Sequence, residues 1–126
     1  MTPKEVMKAL AEGKWIRKSD WEKGYIYLDE HGYLVNNNYK HIPNLKFEED
    51  DEYEINLLTD EERAYLKANI SALKPLMIVT SIYKINNTII IKTFDGNNLK
   101  LDITNLFLRF DRLEEYKVYT RKDLAL

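Results

Sequence analysis

Apolar residues recur along this chain in two rhythms, with polar punctuation between them. Val6, Met7, Ala9 and Leu10 repeat at the spacing of one helical face. Ahead of them, Thr2-Pro3-Lys4-Glu5 reads as a capping box with proline at the first helical position, where a missing N–H removes no hydrogen bond. Gly13 supplies the left-handed residue that stops this helix. Thr59-Asp60-Glu61-Glu62 repeats the box, with Leu57 and Leu58 before it as staple residues and acids in the first turn that suit the helix dipole. Leu66, Ile70 and Leu73 then face one way, and Pro75 ends the segment. Thr120-Arg121-Lys122-Asp123 is a weaker third copy that opens only a terminal turn.

Elsewhere the period shortens to that of strands. Lys14 to Arg17 forms a short one, and Tyr25 to Leu28 and Tyr33 to Val35 flank Asp29-Glu30-His31-Gly32, which has a hairpin's turn chemistry. Asn36-Asn37-Asn38 marks a loop, and Tyr53-Glu54-Ile55 reads as a strand with apolar residues on one side and acid on the other. Met77 to Ile85 and Thr88 to Phe94 are rich in β-branched residues and meet at Asn86-Asn87, and Asp95-Gly96 leads on to Leu99 to Ile103. The expected fold is α+β: a short N-terminal helix with hairpins, then a second helix followed by a three-stranded antiparallel meander. The change between modules falls near Leu58, giving an N-terminal α+β module over 1–58 that ends in the acidic strand and a C-terminal helix-plus-meander module over 59–126.

Charge alters this picture more than composition does. A chain of 126 residues with 44% hydrophobic content buries a core without staples, and the absence of cysteine removes disulfides and thiolate metal sites. The first residues lack an apolar signal core, and no apolar run approaches the roughly 20 residues that span a bilayer, so a cytoplasmic address without membrane contact is expected. The formal charge of −2 is strongly polarised: Glu48 to Glu62 carries nine carboxylates and no Lys or Arg, leaving 12 acids against 19 bases elsewhere. Such a run repels nucleic acid, attracts a basic protein groove, or keeps a connector wet. Nine Tyr and two Trp fit either pleated strand positions or an interface, and both a monomer and a homodimer stay open.

Candidate chemistry is sparse. The chain has three Ser and two His, with His31 in a turn and His41 before Ile42-Pro43, and no nucleophile elbow supports a Ser-His-acid triad. Spacing around the histidines matches no established metal motif, and the four glycines form no phosphate-cradling loop. No cofactor, metal site or enzymatic turnover is therefore expected. Two binding constellations remain. Glu48, Glu49, Asp50, Asp51, Glu52 and Glu54 form a row of carboxylates spaced to imitate phosphates, with Phe47 and Tyr53 as apolar anchors for a protein partner. Alternatively Lys14, Arg17, Trp21 and Tyr25 combine cations and aromatics suited to holding a base and its phosphate.

Two resemblances cover nearly the whole chain. Ala9-Leu10-Ala11-Glu12-Gly13-Lys14-Trp15-Ile16-Arg17, then Ser19-Asp20-Trp21, Tyr25 to Leu28 and Asp50-Asp51-Glu52-Tyr53-Glu54-Ile55, resemble the small phage proteins of the Thoeris anti-defence type. The chain lacks the extended middle region of the longer members. Leu58-Thr59-Asp60-Glu61-Glu62-Arg63-Ala64-Tyr65-Leu66-Lys67, with Phe110, Leu113, Lys117, Tyr119, Thr120 and Leu124, resembles a second group of small, uncharacterised phage and prophage proteins of Gram-positive bacteria. The resemblance implies an anti-defence protein of mobile-element origin. Relatives of this kind either sequester a signalling nucleotide or act as anti-CRISPR proteins against a type II nuclease, so the implied partner is a host defence protein and not DNA itself.

Overall fold

The computed structural model describes residues 1–42, 47, 51–73 and 78–126. Two helices and two antiparallel sheets make the α+β fold that the pattern predicts. They divide into two compact units, Met1–Asn56 and Leu57–Leu126.

In the N-terminal unit, α1 (Pro3–Ala11) begins on the expected box: the Thr2 hydroxyl accepts from the Glu5 amide at 3.2 Å, and the Glu5 carboxylate accepts from the Thr2 amide at 3.1 Å. Gly13, at a φ of 82°, closes the helix. Val6, Ala9 and Leu10 are buried, but Met7 is 57% exposed, because one further step around a nine-residue helix carries it off the stripe that packs. Four three-residue strands follow: β1 (Ile16–Lys18), β2 (Ile26–Leu28), β3 (Leu34–Asn36) and β4 (Tyr53–Ile55), in sheet order β3-β2-β1-β4. Ile16 pairs with Ile26 on one side and Ile55 on the other. The first three strands start one or two residues later than their expected bounds, and in β1 and β2 the first residue is the one that enters the core, Ile16 or Ile26. Asp29 makes the hairpin turn by accepting from the amides of His31 and Tyr33, with Gly32 at a φ of 81°. The α1 stripe packs on Ile16, Ile26 and Tyr53 to form the core.

In the C-terminal unit, α2 (Asp60–Ser71) starts on Thr59 with the same reciprocal bonds to Glu62. Leu66 is fully buried and Ile70 packs beside it, whereas Leu73 is not among the residues of the core; Pro75 and Met77 lie outside the described residues. The meander is β5 (Val79–Ile85), β6 (Thr88–Thr93) and β7 (Asn98–Asp102) in sequential antiparallel order. Asn86, with a φ of 52°, turns β5 into β6. Phe94, expected within the second strand, lies beyond it and is 80% exposed. The chain then returns to the other edge of β5, where Tyr119 and Ile82 exchange two backbone bonds of 2.8 Å. Thr120 and Asp123 bond each other's amides at the terminal turn, as the third box predicts. Leu58, Leu66, Ile82, Ile89, Ile91, Phe110, Leu113, Tyr119 and Leu124 form this unit's core.

Candidate functional site

Strand alternation sorts the acidic run. In β4, Tyr53 and Ile55 turn toward α1 and Glu54 turns away, opposite Arg17 of β1. Arg17 is only 4% exposed, and its Nη1 donates to Glu54 Oε1 at 2.6 Å. Lys18 Nζ lies 3.0 Å from Asp51 Oδ1, and that hydrogen bond raises the lysine's pKa above its ordinary value. Ser19 donates its amide to the Glu52 carbonyl at 2.8 Å, which continues the edge pairing while the Glu52 side chain stays exposed.

The row of solvated carboxylates expected from the sequence is therefore partly committed to the chain's own fold. Asp51 and Glu54 answer Lys18 and Arg17; Asp60 sits 3.7 Å from Arg63; Glu62 is 4% exposed and caps α2. Glu52 and Glu61 stand exposed, and Glu48, Glu49 and Asp50 lie outside the described residues. Of the two apolar anchors, Tyr53 differs from expectation. Tyr53 is 5% exposed in the core, with the half-buried Phe47 ring edge-on to it at 5.3 Å and Trp21 edge-on at 6.4 Å. The alternation that turns Glu54 outward turns Tyr53 inward, so it cannot offer its ring to a partner.

The alternative set of Lys14, Arg17, Trp21 and Tyr25 is likewise divided. Trp21 packs on the core side beside Tyr53, and Lys14 is exposed with Glu12 at 3.2 Å. What gathers on the sheet face turned from α1 is Trp15, Tyr25 and Tyr27. Trp15 and Tyr25 stack at 4.3 Å with their planes 14° apart, and Tyr27 lies within 6.4 Å of both. Burial raises the pKa of the Tyr27 hydroxyl. The signal for this cluster was present in the alternation of Trp15 with Ile16 and of Tyr25 and Tyr27 with Ile26. Among the described residues the Arg17 Nε meets no hydrogen-bond acceptor.

His31 is exposed in its turn, 3.5 Å from Glu30, and His41 stacks on Tyr33 at 5.1 Å. No group of three His, Cys, Asp or Glu is placed to share a metal ion among the described residues. In the C-terminal unit a cavity of about 280 Å³ is lined by Lys84, Asn86, Asn87, Thr104, Asn105 and Arg109, among others. Its cations are already engaged: Lys84 Nζ donates to the Phe110 carbonyl at 3.2 Å and Arg109 Nε lies 3.8 Å from Asp111. No described helix is long and apolar enough to cross a membrane. Comparison with protein-family models, curated proteins and solved structures finds no match.

Proposed function

We propose that this protein is a non-enzymatic anti-defence inhibitor that binds a bacterial defence protein one to one and occludes a basic groove, with the guide-loaded type II CRISPR nuclease as its target. The observation that carries this reading is the clamped acidic edge. β4 ends the sheet, and the ion pairs of Glu54 with Arg17 and Asp51 with Lys18 hold its backbone in one geometry. An acidic edge held in advance loses less entropy on docking than a free connector. The exposed Glu52 and the neighbouring Glu48, Glu49 and Asp50 of the sequence supply the field, and the identity of the target comes from the N-terminal resemblance.

Titrating the purified protein into a DNA-cleavage reaction of the guide-loaded nuclease tests the reading. Cleavage stops as the two reach equimolar amounts. The charge reversal Glu49→Lys, Asp50→Lys and Glu52→Lys, which spares the carboxylates that hold Lys18 and Arg17, restores cleavage, and a melting temperature measured beside it checks that the fold is kept. Undiminished cleavage at molar excess of wild-type protein would sink the proposal.

A second reading, sequestration of a signalling nucleotide, draws support from the Trp15, Tyr25 and Tyr27 cluster, because aromatic faces hold a base without turnover. Calorimetry against cyclic and ADP-ribose-type nucleotides separates the two: heat that Trp15→Ala abolishes favours sequestration.

A further inference from the structure

The outer face of the C-terminal sheet carries an apolar strip set among polar residues. Ile82, Ile89, Ile91 and Thr93 are buried on the inner side. Alternation therefore places Tyr83 and Ile85 of β5, Ile90 and Lys92 of β6, and Lys100 of β7 on the outer side, with the polar Ser81, Thr88, Asn98 and Asp102 around them. Tyr83 stands opposite Ile90, and Ile90 opposite Lys100. Val118 adjoins this row, because its neighbour Tyr119 pairs with Ile82, and it is 60% exposed. Phe94, 80% exposed, extends the same line beyond Lys92. Tyr83, Ile85 and Ile90 are half-buried and take no part in the core cluster. The result is an apolar band from Val118 across Tyr83 to Ile90, bordered by two ammonium groups.

Those lysines carry the argument about the occupant. Lys92 Nζ rests 5.4 Å from the Tyr83 ring centroid, and neither Lys92 nor Lys100 forms an ion pair among the described residues. The one carboxylate on this face among the described residues, Asp102, accepts from the Thr88 hydroxyl at 3.4 Å. We propose that this face docks a partner protein through an apolar contact centred on Tyr83 and Ile90, with carboxylates of the partner meeting Lys92 and Lys100. An apolar centre with a charged rim is the anatomy of a protein interface. Single-stranded nucleic acid fits less well, since two lysines neutralise few phosphates and the Tyr83 ring already carries the Lys92 ammonium 5.4 Å from its centroid, which leaves Phe94 as the open ring of this row. A second copy also fits less well: pairing this face with itself across a two-fold axis gathers four lysines against two Asp102 carboxylates. The inference concerns the C-terminal unit alone and does not depend on a CRISPR target.

Photo-crosslinking reads the occupant directly. The full chain with Val118→p-benzoylphenylalanine is irradiated in bacteria that carry a type II CRISPR locus, and the adduct is mapped by mass spectrometry. The expected adduct joins Val118 to an acidic surface of another protein, whichever protein that is, and a probe at the exposed Met7 forms none. The purified partner then binds the double variant Lys92→Glu, Lys100→Glu at least about tenfold more weakly than wild type, with the milder Lys92→Gln, Lys100→Gln pair measured should the reversal unfold the unit. An adduct to a second copy or to nucleic acid, no adduct, or a partner indifferent to both lysine variants overturns the proposal. Because the adduct names its own partner, failure of nuclease inhibition does not affect this result.

Discussion

Both helices open on the same four-residue box, Thr2 to Glu5 in one unit and Thr59 to Glu62 in the other, yet the two glutamates occupy different surroundings. Glu5 is exposed, and its carboxylate serves the Thr2 amide with water at hand. Glu62 is 4% exposed, and while Oε1 accepts from Thr59, Oε2 accepts the amide of Phe110, 48 residues away. Phe110 has a φ of 54°, so its N–H cannot join the regular pairing of a strand and depends on this acceptor. A local motif thus sets where each helix starts, and burial alone lets the second copy also fix the returning chain of its unit.

The widest separation between the two boxes comes from removing the glutamates. Glu62→Ala lowers stability by about 2–4 kcal/mol, combining a lost cap of about 1 kcal/mol with about 1–3 kcal/mol for the buried Phe110 amide left without an acceptor. Glu5→Ala loses only its solvated cap and shifts the urea midpoint far less. Equal midpoint shifts in the two variants would show that the Phe110 bond adds nothing.

The same contrast explains how much of the molecule is legible in its sequence. Helix starts, the Asp29 and Asn86 turns, the meander and the terminal Thr120 turn are legible because each depends on chemistry within about four residues. The inward side of Tyr53 is legible too, once Glu54 is taken as outward. Pairings across the chain leave no local trace: Arg17 with Glu54 is separated by 37 residues, and the edge bonds between Ile82 and Tyr119 join positions equally remote in sequence. The candidate site suffers most from this, since a run of acids reads as a free charged surface until the lysine and arginine that answer it are located. Met7 departs from expectation for a simpler reason, as periodicity gives the direction of an apolar stripe but not its width.

A smaller effect sharpens the comparison from the side of the N-terminal unit, which among its described charged groups buries the Arg17 guanidinium alone, whereas the C-terminal unit buries Glu62 and Arg63 side by side. Glu54→Ala leaves the Arg17 guanidinium without its carboxylate. The usual cost of breaking a buried pair, about 3–5 kcal/mol, falls to about 2 kcal/mol here because the Glu54 side chain is 34% exposed and partly screened. Arg17→Leu combined with Glu54→Leu recovers most of that loss, since the expense lies in an unanswered charge and not in the absence of the pair. A double-mutant cycle in urea gives the coupling, and additive losses would mean that the pair is incidental.

The weakest expected effects come from exposed carboxylates held by short-range hydrogen bonds, one in each unit. The Thr2 amide and hydroxyl hold Glu5 below its usual pKa, and the Thr93 hydroxyl does the same for Asp95 in the β6–β7 turn. Both folded values are depressed, so each group contributes stability that is present above its unfolded pKa and disappears as pH falls through its folded value. Carboxyl carbon shifts followed by NMR from neutral to acid pH should place Glu5 below 4.5 and Asp95 below 3.8. Thr93→Val then returns Asp95 toward its ordinary range and leaves Glu5 unmoved, whereas Thr2→Val, which keeps the backbone amide that contributes most, moves Glu5 only part of the way back and leaves Asp95 unmoved. If one substitution moved both midpoints, the two turns would be coupled through the chain and the picture of separately maintained local caps would fail.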